Sequence, residues 1–215
     1  MIKVLKETGD YIVCIKPVGI SSEEGGMVSL LKEERHSDIY PVHRLDQAVS
    51  GIMVYAKTSE AAASISATLQ NKSYLCVIPD VLKDEEGDMQ DWLYHDKRSN
   101  KSYPVKREKK NAKEALLSYR ILERKDGLDL VSVTLKTGRT HQIRVQFASR
   151  KAPLYGDGKY GSRIKGTIAL LSCRLSFKDP KTRENLTFEF LPDDAKEPFS
   201  RFDFFQKKSI IEIPD

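Results

Sequence analysis

The sequence predicts an α+β protein in which a mixed, mostly antiparallel sheet carries a few helices. Strand-like runs rich in β-branched and aromatic residues recur from the first residues as far as Phe190. Two of them, Leu116 to Glu123 and Leu128 to Leu135, flank an Asp126-Gly127 turn and read as a hairpin. Helical patterning is confined to a few short segments.

Taken in order, Ile2 to Ile15 reads as two strands around a Glu7-Thr8-Gly9-Asp10 turn. Lys16-Pro17-Val18-Gly19-Ile20 ends the second, since proline has no N–H to give a ladder. Val28 to Glu34 is expected to form a short helix. Arg44 and Asp46 fall two apart on an extended run, hence on one face, and Ser50-Gly51 leads into a strand over Ile52 to Tyr55. Thr58 or Ser59 is placed to cap a helix over Glu60 to Asn71, with Glu60 near the positive end of its dipole. Ala62, Ile65, Ser66 and Leu69 form its expected buried stripe. Tyr74 to Ile78 is a strand closed by Pro79. Residues 80–113 are charged and turn-rich, and read as the least regular part. After the hairpin, Thr137-Gly138-Arg139 breaks the strand, and Thr140 is expected to cap a helix to about Arg150 with Ile143 and Phe147 buried. Ile168 to Phe177 and Asn185 to Phe190 complete the strands. No long linker, repeat or low-complexity segment interrupts residues 1–215, which are expected to form a single domain.

Composition narrows the class. Of 215 residues 31% are charged and 40% hydrophobic, and the net charge of +5 permits a polyanion partner without requiring one. Cys14, Cys76 and Cys173 are odd in number and far apart, which supports neither a disulfide framework nor a C-x-x-C zinc site and suits a reducing cytosol. His36, His43, His95 and His141 lack metal-ligand spacing, so no metal is expected. No apolar run reaches the length of a membrane span, and the N-terminus lacks the apolar core of a signal peptide. A cytoplasmic monomer without membrane or cofactor is the expectation.

Two segments hold most of the candidate chemistry. Pro41-Val42-His43-Arg44-Leu45-Asp46 sets an arginine beside a carboxylate, and a guanidinium favours the charged form of a neighbouring carboxylate. An oriented, ionised aspartate serves as nucleophile or general base, although the same spacing also describes an ordinary surface ion pair. Thr137-Gly138-Arg139-Thr140-His141-Gln142-Ile143-Arg144 gathers two arginines and a histidine at a strand-to-helix junction, where backbone N–H groups attract anions; the arginines could equally hold surface acids. Lys106, Arg107, Lys109 and Lys110 form the densest basic cluster, readable as a solvated loop or as a phosphate contact.

These strings resemble the signatures of the RluA-type pseudouridine synthases, RNA uridine isomerases. His43-Arg44-Leu45-Asp46 through Ser50-Gly51 to Ala56-Lys57-Thr58 is similar to the family's H-R-L-D segment and following strand, and Thr137 to Val145 to its T-G-R-[ST]-H-Q-[IL]-R-V segment. Lys72-Ser73-Tyr74-Leu75-Cys76-Val77, Lys16-Pro17-Val18-Gly19-Ile20 and Gly156-Asp157-Gly158-Lys159-Tyr160-Gly161 are weaker matches in the family's order. Val49, Gln146 and Ser172-Cys173 depart from its usual threonine, histidine and H-A, which bears on supporting hydrogen bonds rather than on the proposed reacting groups.

The resemblance implies the family's bent mixed sheet, in one catalytic domain with no S4-type domain before it. It implies Asp46 as the catalytic aspartate, Arg144 as its partner, and Tyr74 against the target base as a candidate for taking the C5 proton. Arg44 is implied to occupy the stack vacated by a flipped uridine. Arg139, His141 and the 106–110 cluster would bind phosphates of structured RNA, ribosomal or transfer. Whether Asp46 attacks the sugar or assists departure of the base stays open. The alternatives are a non-catalytic RNA-binding paralogue of the same fold and, from other enzyme classes, a kinase or glycosidase. A kinase reading fails on the shifted aspartate and the missing Gly-rich loop, while a glycosidase would need a second carboxylate, for which residues 84–91 offer candidates.

Overall fold

A computed structural model describes residues 2–206. In chain order the elements are β1 (Val4–Glu7), β2 (Tyr11–Lys16), α1 (Met27–Arg35), β3 (Tyr40–Pro41), β4 (Ser50–Ala56), α2 (Ser59–Thr68), β5 (Gln70–Pro79), β6 (Glu86–Asp96), β7 (Lys101–Val105), β8 (Lys113–Lys125), β9 (Leu128–Leu135), α3 (Gln142–Ser149), β10 (Leu170–Lys178), β11 (Asn185–Glu189) and α4 (Asp203–Gln206). The strands are mostly antiparallel, and β10 runs parallel to β4. The fold is therefore α+β, as expected. No helix among the described residues is long and apolar enough to cross a membrane.

The chain forms two compact units. The first comprises the N-terminal part through Lys72 and Leu171–Phe190, the second Ser73–Leu170 and the segment from Leu191 onward. The chain passes between them inside β5 and inside β10, where strand composition is uninterrupted, so no linker marks the division.

In the first unit the strands lie in the order β1-β2-β4-β10, with β11 on β10 and β3 on β4. Tyr11 to Cys14 on β2 and Gly51 to Ala56 on β4 are buried without alternation, the pattern of strands covered on both faces. One face packs Tyr11, Val13, Ile52, Val54, Leu175 and Phe177 against Ala61 and Ile65 of α2. Thr58 caps α2, its side chain accepting from Ala61 N at 3.1 Å, a bond worth about 1 kcal/mol. The helix stops at Thr68, short of the expected Asn71, because the chain turns extended at Leu69 to enter β5. Ser66 is exposed and Ala61 takes its place in the buried stripe.

In the second unit the order is β5-β9-β8-β6-β7. The β8–β9 hairpin turns through Asp126 (φ 52°) and Gly127 (φ 73°), the paired positive angles that Asp-Gly tolerates. Residues 80–113 are more regular than expected: β6 and β7 occupy nearly half of them, and β6 pairs with β8 along eight residues from Glu86 to Leu93. Helix α3 begins one residue later than expected and Thr140 does not cap it. His141, at φ 56°, stands at the cap position without a side-chain cap bond, and the Gln142 side chain accepts from Arg139 N, upstream of the helix, at 2.9 Å.

Candidate active site

In the first unit the segment carrying Arg44 and Asp46 is a loop between β3 and β4, not the expected strand. It is tied down along its length. The Val54 N–H donates to Nε2 of His43 at 3.2 Å, so that nitrogen is bare and the imidazole neutral. Burial, with the charge of Lys72 adding to it, pushes the His43 pKa down to about 3. The Ser22 hydroxyl donates to Leu45 O at 3.1 Å, and the chain turns back where Val49 N–H donates to Asp46 O at 3.0 Å.

Lys16 anchors the same loop from below. Its side chain is wholly buried, and Nζ donates to the carbonyls of Pro17, Ile20 and Gln47 at 2.9, 2.8 and 3.3 Å. An ammonium has three donors, and here each meets a carbonyl. Burial pulls its pKa down to about 8, and the nearby charge of Asp46 opposes that pull. Asp46 is half-buried, whereas the Arg44 side chain is 61% exposed, with Glu23 Oε1 3.4 Å away. The two residues of the Arg-x-Asp pair thus have different surroundings.

The Ser-Gly step that follows is forced by packing. Gly51 pairs with Ser172 where β4 and β10 run parallel, at φ 129°, and a Cβ there would lie 2.1 Å from Ser172 O. Only glycine lets the two backbones approach so closely. Ser172, where the resembled family often has histidine, donates its hydroxyl to Ile52 O at 3.2 Å and so stitches β10 to β4.

The second unit holds Tyr74 and Arg144. Tyr74 lies on β5 and is 6% exposed. Arg144, on α3, is 5% exposed and grips Asp157 in a fork: Nε to Oδ2 at 2.6 Å and Nη2 to Oδ1 at 2.8 Å. Asp157 is itself wholly buried. Tyr160 stacks its ring 5.1 Å from the Arg144 guanidinium, and its hydroxyl accepts from Ser102 N at 2.8 Å and shares a 2.9 Å hydrogen bond with His141 Nδ1. Gly156 permits the loop that delivers Asp157: its φ is 76°, and a Cβ would lie 2.3 Å from Thr167 O.

The structure thus links Arg144, Asp157, Tyr160 and His141, of which sequence reasoning had named Arg144 and His141. Asp157 is the functional candidate it missed, visible only as part of the Gly-Asp-x-x-Tyr-Gly string. His141, expected to meet phosphate, is 8% exposed and engaged with Tyr160. Arg139 is half-buried and donates from Nε to Glu114 O at 2.8 Å. Lys106, Arg107, Lys109 and Lys110 are exposed on the turn after β7. Gln146 is wholly buried, and its amide nitrogen donates to Met89 O at 3.2 Å and to Asp91 Oδ2 at 2.8 Å, binding α3 to β6. Among the described residues no cluster of His, Cys, Asp and Glu suits a metal.

Solved structures share this architecture. The human RNA pseudouridylate synthase domain-containing protein 1 superposes with a TM-score of 0.77 at 17% identity, covering 100% of this chain and 97% of that one. Its human counterpart numbered 4 gives 0.74 at 19% identity, covering 95% and 93%. At those identities the likeness defines the fold. Residues 10–149 match the model of the RNA pseudouridylate synthase family. An uncharacterized RNA pseudouridine synthase of Bacillus subtilis, YlyB, is 37% identical over 73% of this chain and 53% of its own length. A ribosomal large subunit pseudouridine synthase D of Neisseria meningitidis is 33% identical over 71% of this chain and 45% of its own. The chain belongs to the RNA pseudouridylate synthase family, and it spans about half the length of these two relatives.

Proposed function

We propose that the protein isomerises uridine to pseudouridine at particular sites in structured RNA, ribosomal or transfer, with Asp46 as the catalytic group. The reaction breaks the N1–C1′ bond, turns the uracil and joins C5 to C1′; the proton lost from C5 is balanced by one gained at N1. A carboxylate trapping C1′, or assisting departure of the base, divides one hard step into easier ones. Tyr74 is assigned the base-facing position, an aromatic surface with a phenol for the C5 proton. Arg144 is assigned to orient Asp46, and Arg44 to fill the stack that a flipped uridine leaves.

Family membership together with the anchored Asp46 loop carries this reading. A reacting carboxylate has to be held still, and His43, Ser22 and Lys16 fasten its segment at residues 43, 45 and 47. The fork between Arg144 and Asp157 supports it too, since an arginine fixed by one carboxylate is pre-oriented for a second task. We further propose that the two units act as one cytoplasmic catalytic domain, and that Arg139 and the 106–110 cluster contact RNA phosphates. Mass-shift mapping of pseudouridine in RNA from cells with and without the gene tests the assignment. Loss of one or a few sites, restored by the gene, is expected; an unchanged map in ribosomal and transfer RNA contradicts it.

A further inference from the structure

The β6–β7 hairpin has two unlike faces. Residues Leu93 and Ser102 point inward: Leu93 packs with Ala115, Val145 and Tyr160, and buried Ser102 donates its hydroxyl to Thr140 O at 2.7 Å. Alternation then turns Trp92, Tyr94 and Tyr103 to the opposite face. Tyr94 and Tyr103 are direct cross-strand partners, and Trp92 lies two residues along from Tyr94. Tyr103 is 40% exposed. Three rings therefore lie side by side on one outward surface.

Each ring carries a cation. The Arg107 guanidinium stands 5.3 Å from the Trp92 ring centre, Lys109 Nζ 5.3 Å from that of Tyr94, and Lys101 Nζ 5.6 Å from that of Tyr103. Elsewhere in the same unit cations sit on carboxylates: Arg120 on Glu86, Lys136 on Asp88, Arg150 on Asp91 and Arg124 on Asp80. Among the described residues Lys101, Arg107 and Lys109 make no such ion pair. Glu114, which faces Trp92 across the strands, is engaged by Gln90 Nε2 at 2.7 Å. Asp96, the cross-strand partner of Lys101, accepts from Arg98 N and the Ser99 hydroxyl. Lys101 Nζ also lies 5.3 Å from the Tyr160 ring centre, so the three cations rest on aromatic surface rather than on carboxylates.

Resting on the reading that RNA is the substrate, we propose that this face is a stacking platform for a single-stranded segment of that RNA. Bases lie on Trp92, Tyr94 and Tyr103, while Arg107, Lys109 and Lys101 turn from the rings to the phosphates between them. Stacking suits any base, and the cations that leave the ring faces supply the backbone contacts that single-strand binders combine with it. A protein strand adding to the edge is disfavoured, because Pro104 in β7 withholds a backbone donor.

Trp92 is the only tryptophan in the chain, so its emission reports on this surface alone. The full chain is titrated with a fluorescein-labelled 12-nucleotide oligouridylate, followed by anisotropy, and with the unlabelled oligomer, followed by Trp92 fluorescence. Heparin, a polyanion without bases, serves as control. The expected result is saturable quenching by the oligouridylate with the anisotropy midpoint and no comparable quenching by heparin. Tyr103→Ala, at an exposed position, weakens oligouridylate binding about tenfold, leaves heparin binding unchanged and keeps the wild-type melting temperature, while Tyr103→Phe restores binding. No binding, binding without quenching, equal quenching by heparin, or wild-type affinity in Tyr103→Ala overturns the platform. Pseudouridine formation is measured on the same preparations. RNA modified normally despite a failed platform sinks this inference alone, whereas a working platform with no pseudouridine on any cellular RNA sinks the catalytic reading alone.

Discussion

Lys16 and Arg144 are both buried cations serving the proposed chemistry, and they are solvated in opposite ways. Lys16, in the first unit, is surrounded by the carbonyls of Pro17, Ile20 and Gln47. Arg144, in the second, meets the carboxylate of Asp157 in a fork. Carbonyl dipoles compensate a buried charge only in part, which is why the lysine pKa falls to about 8. A bidentate carboxylate meets it with an opposite charge but makes each partner depend on the other. Lys16 therefore works as a clamp on the backbone beside Asp46. Arg144 works as half of a rigid pair.

The comparison predicts unequal responses to substitution, beginning with the pair. Asp157→Ala takes the fork away from the buried Arg144 guanidinium and should cost about 3–5 kcal/mol, read as a large drop in denaturation midpoint. A loss below about 1 kcal/mol would mean the pair is not the closed unit described. Replacing Arg144 and Asp157 together by apolar residues should recover much of the stability and none of the activity.

Lys16→Met comes next, at about 1–3 kcal/mol, because buried carbonyls lose their donor while no opposite charge is stranded. Its pH dependence is distinctive. The unfolded chain keeps the Lys16 proton to the ordinary lysine range near 10.5, while the folded chain releases it near pH 8. Between those values the unfolded state binds more protons, so this group makes stability rise with pH. The gap in melting temperature between wild type and Lys16→Met should widen from pH 8 to pH 10; a constant gap would show that the ammonium is not held as described.

Asp129 supplies the smallest effect and the opposite sign. It is wholly buried, neither carboxyl oxygen has a hydrogen-bond donor among the described residues, and Arg124 Nη1 stands 3.5 Å from Oδ2. Burial raises its pKa to about 6, with Arg124 opposing and Asp80 assisting. Here the folded state binds more protons between the usual carboxylate range and pH 6, so this group makes stability fall as pH rises through that window. Asp129→Asn should raise the melting temperature at pH 7.5 by a few degrees and leave it nearly unchanged at pH 4. Destabilisation at pH 7.5 would show that the ion pair outweighs the burial of the charge.

Much of the fold was legible because its signals are local. Asp126-Gly127 announces its hairpin, Thr58 its helix, and Ser50-Gly51 the entry into β4. The β6–β7 hairpin was not, because its alternation is mixed: beside Met89 and Leu93, polar Asp91 and Ser102 face inward, satisfied by Gln146 and Thr140, while Trp92 and Tyr103 face out. A pattern of apolar-in and polar-out cannot find such a strand. The start of α3 was misplaced because no side chain caps it: His141 stands at the cap position with a positive φ of 56°, and the capping preference of Thr140 goes unused. At the site, motif resemblance marked Asp46, Tyr74 and Arg144, but the Arg144–Asp157 fork joins residues thirteen apart through a loop and leaves no periodic trace.

The central claim is that the reaction depends on Asp46, and one substitution tests it. RNA from cells lacking the gene is incubated with wild-type protein or with Asp46→Asn, and pseudouridine is quantified alongside RNA affinity and melting temperature. The account predicts no detectable pseudouridine from Asp46→Asn, with affinity within a few-fold of wild type and folding intact. Turnover by Asp46→Asn within tenfold of the wild-type rate would contradict it.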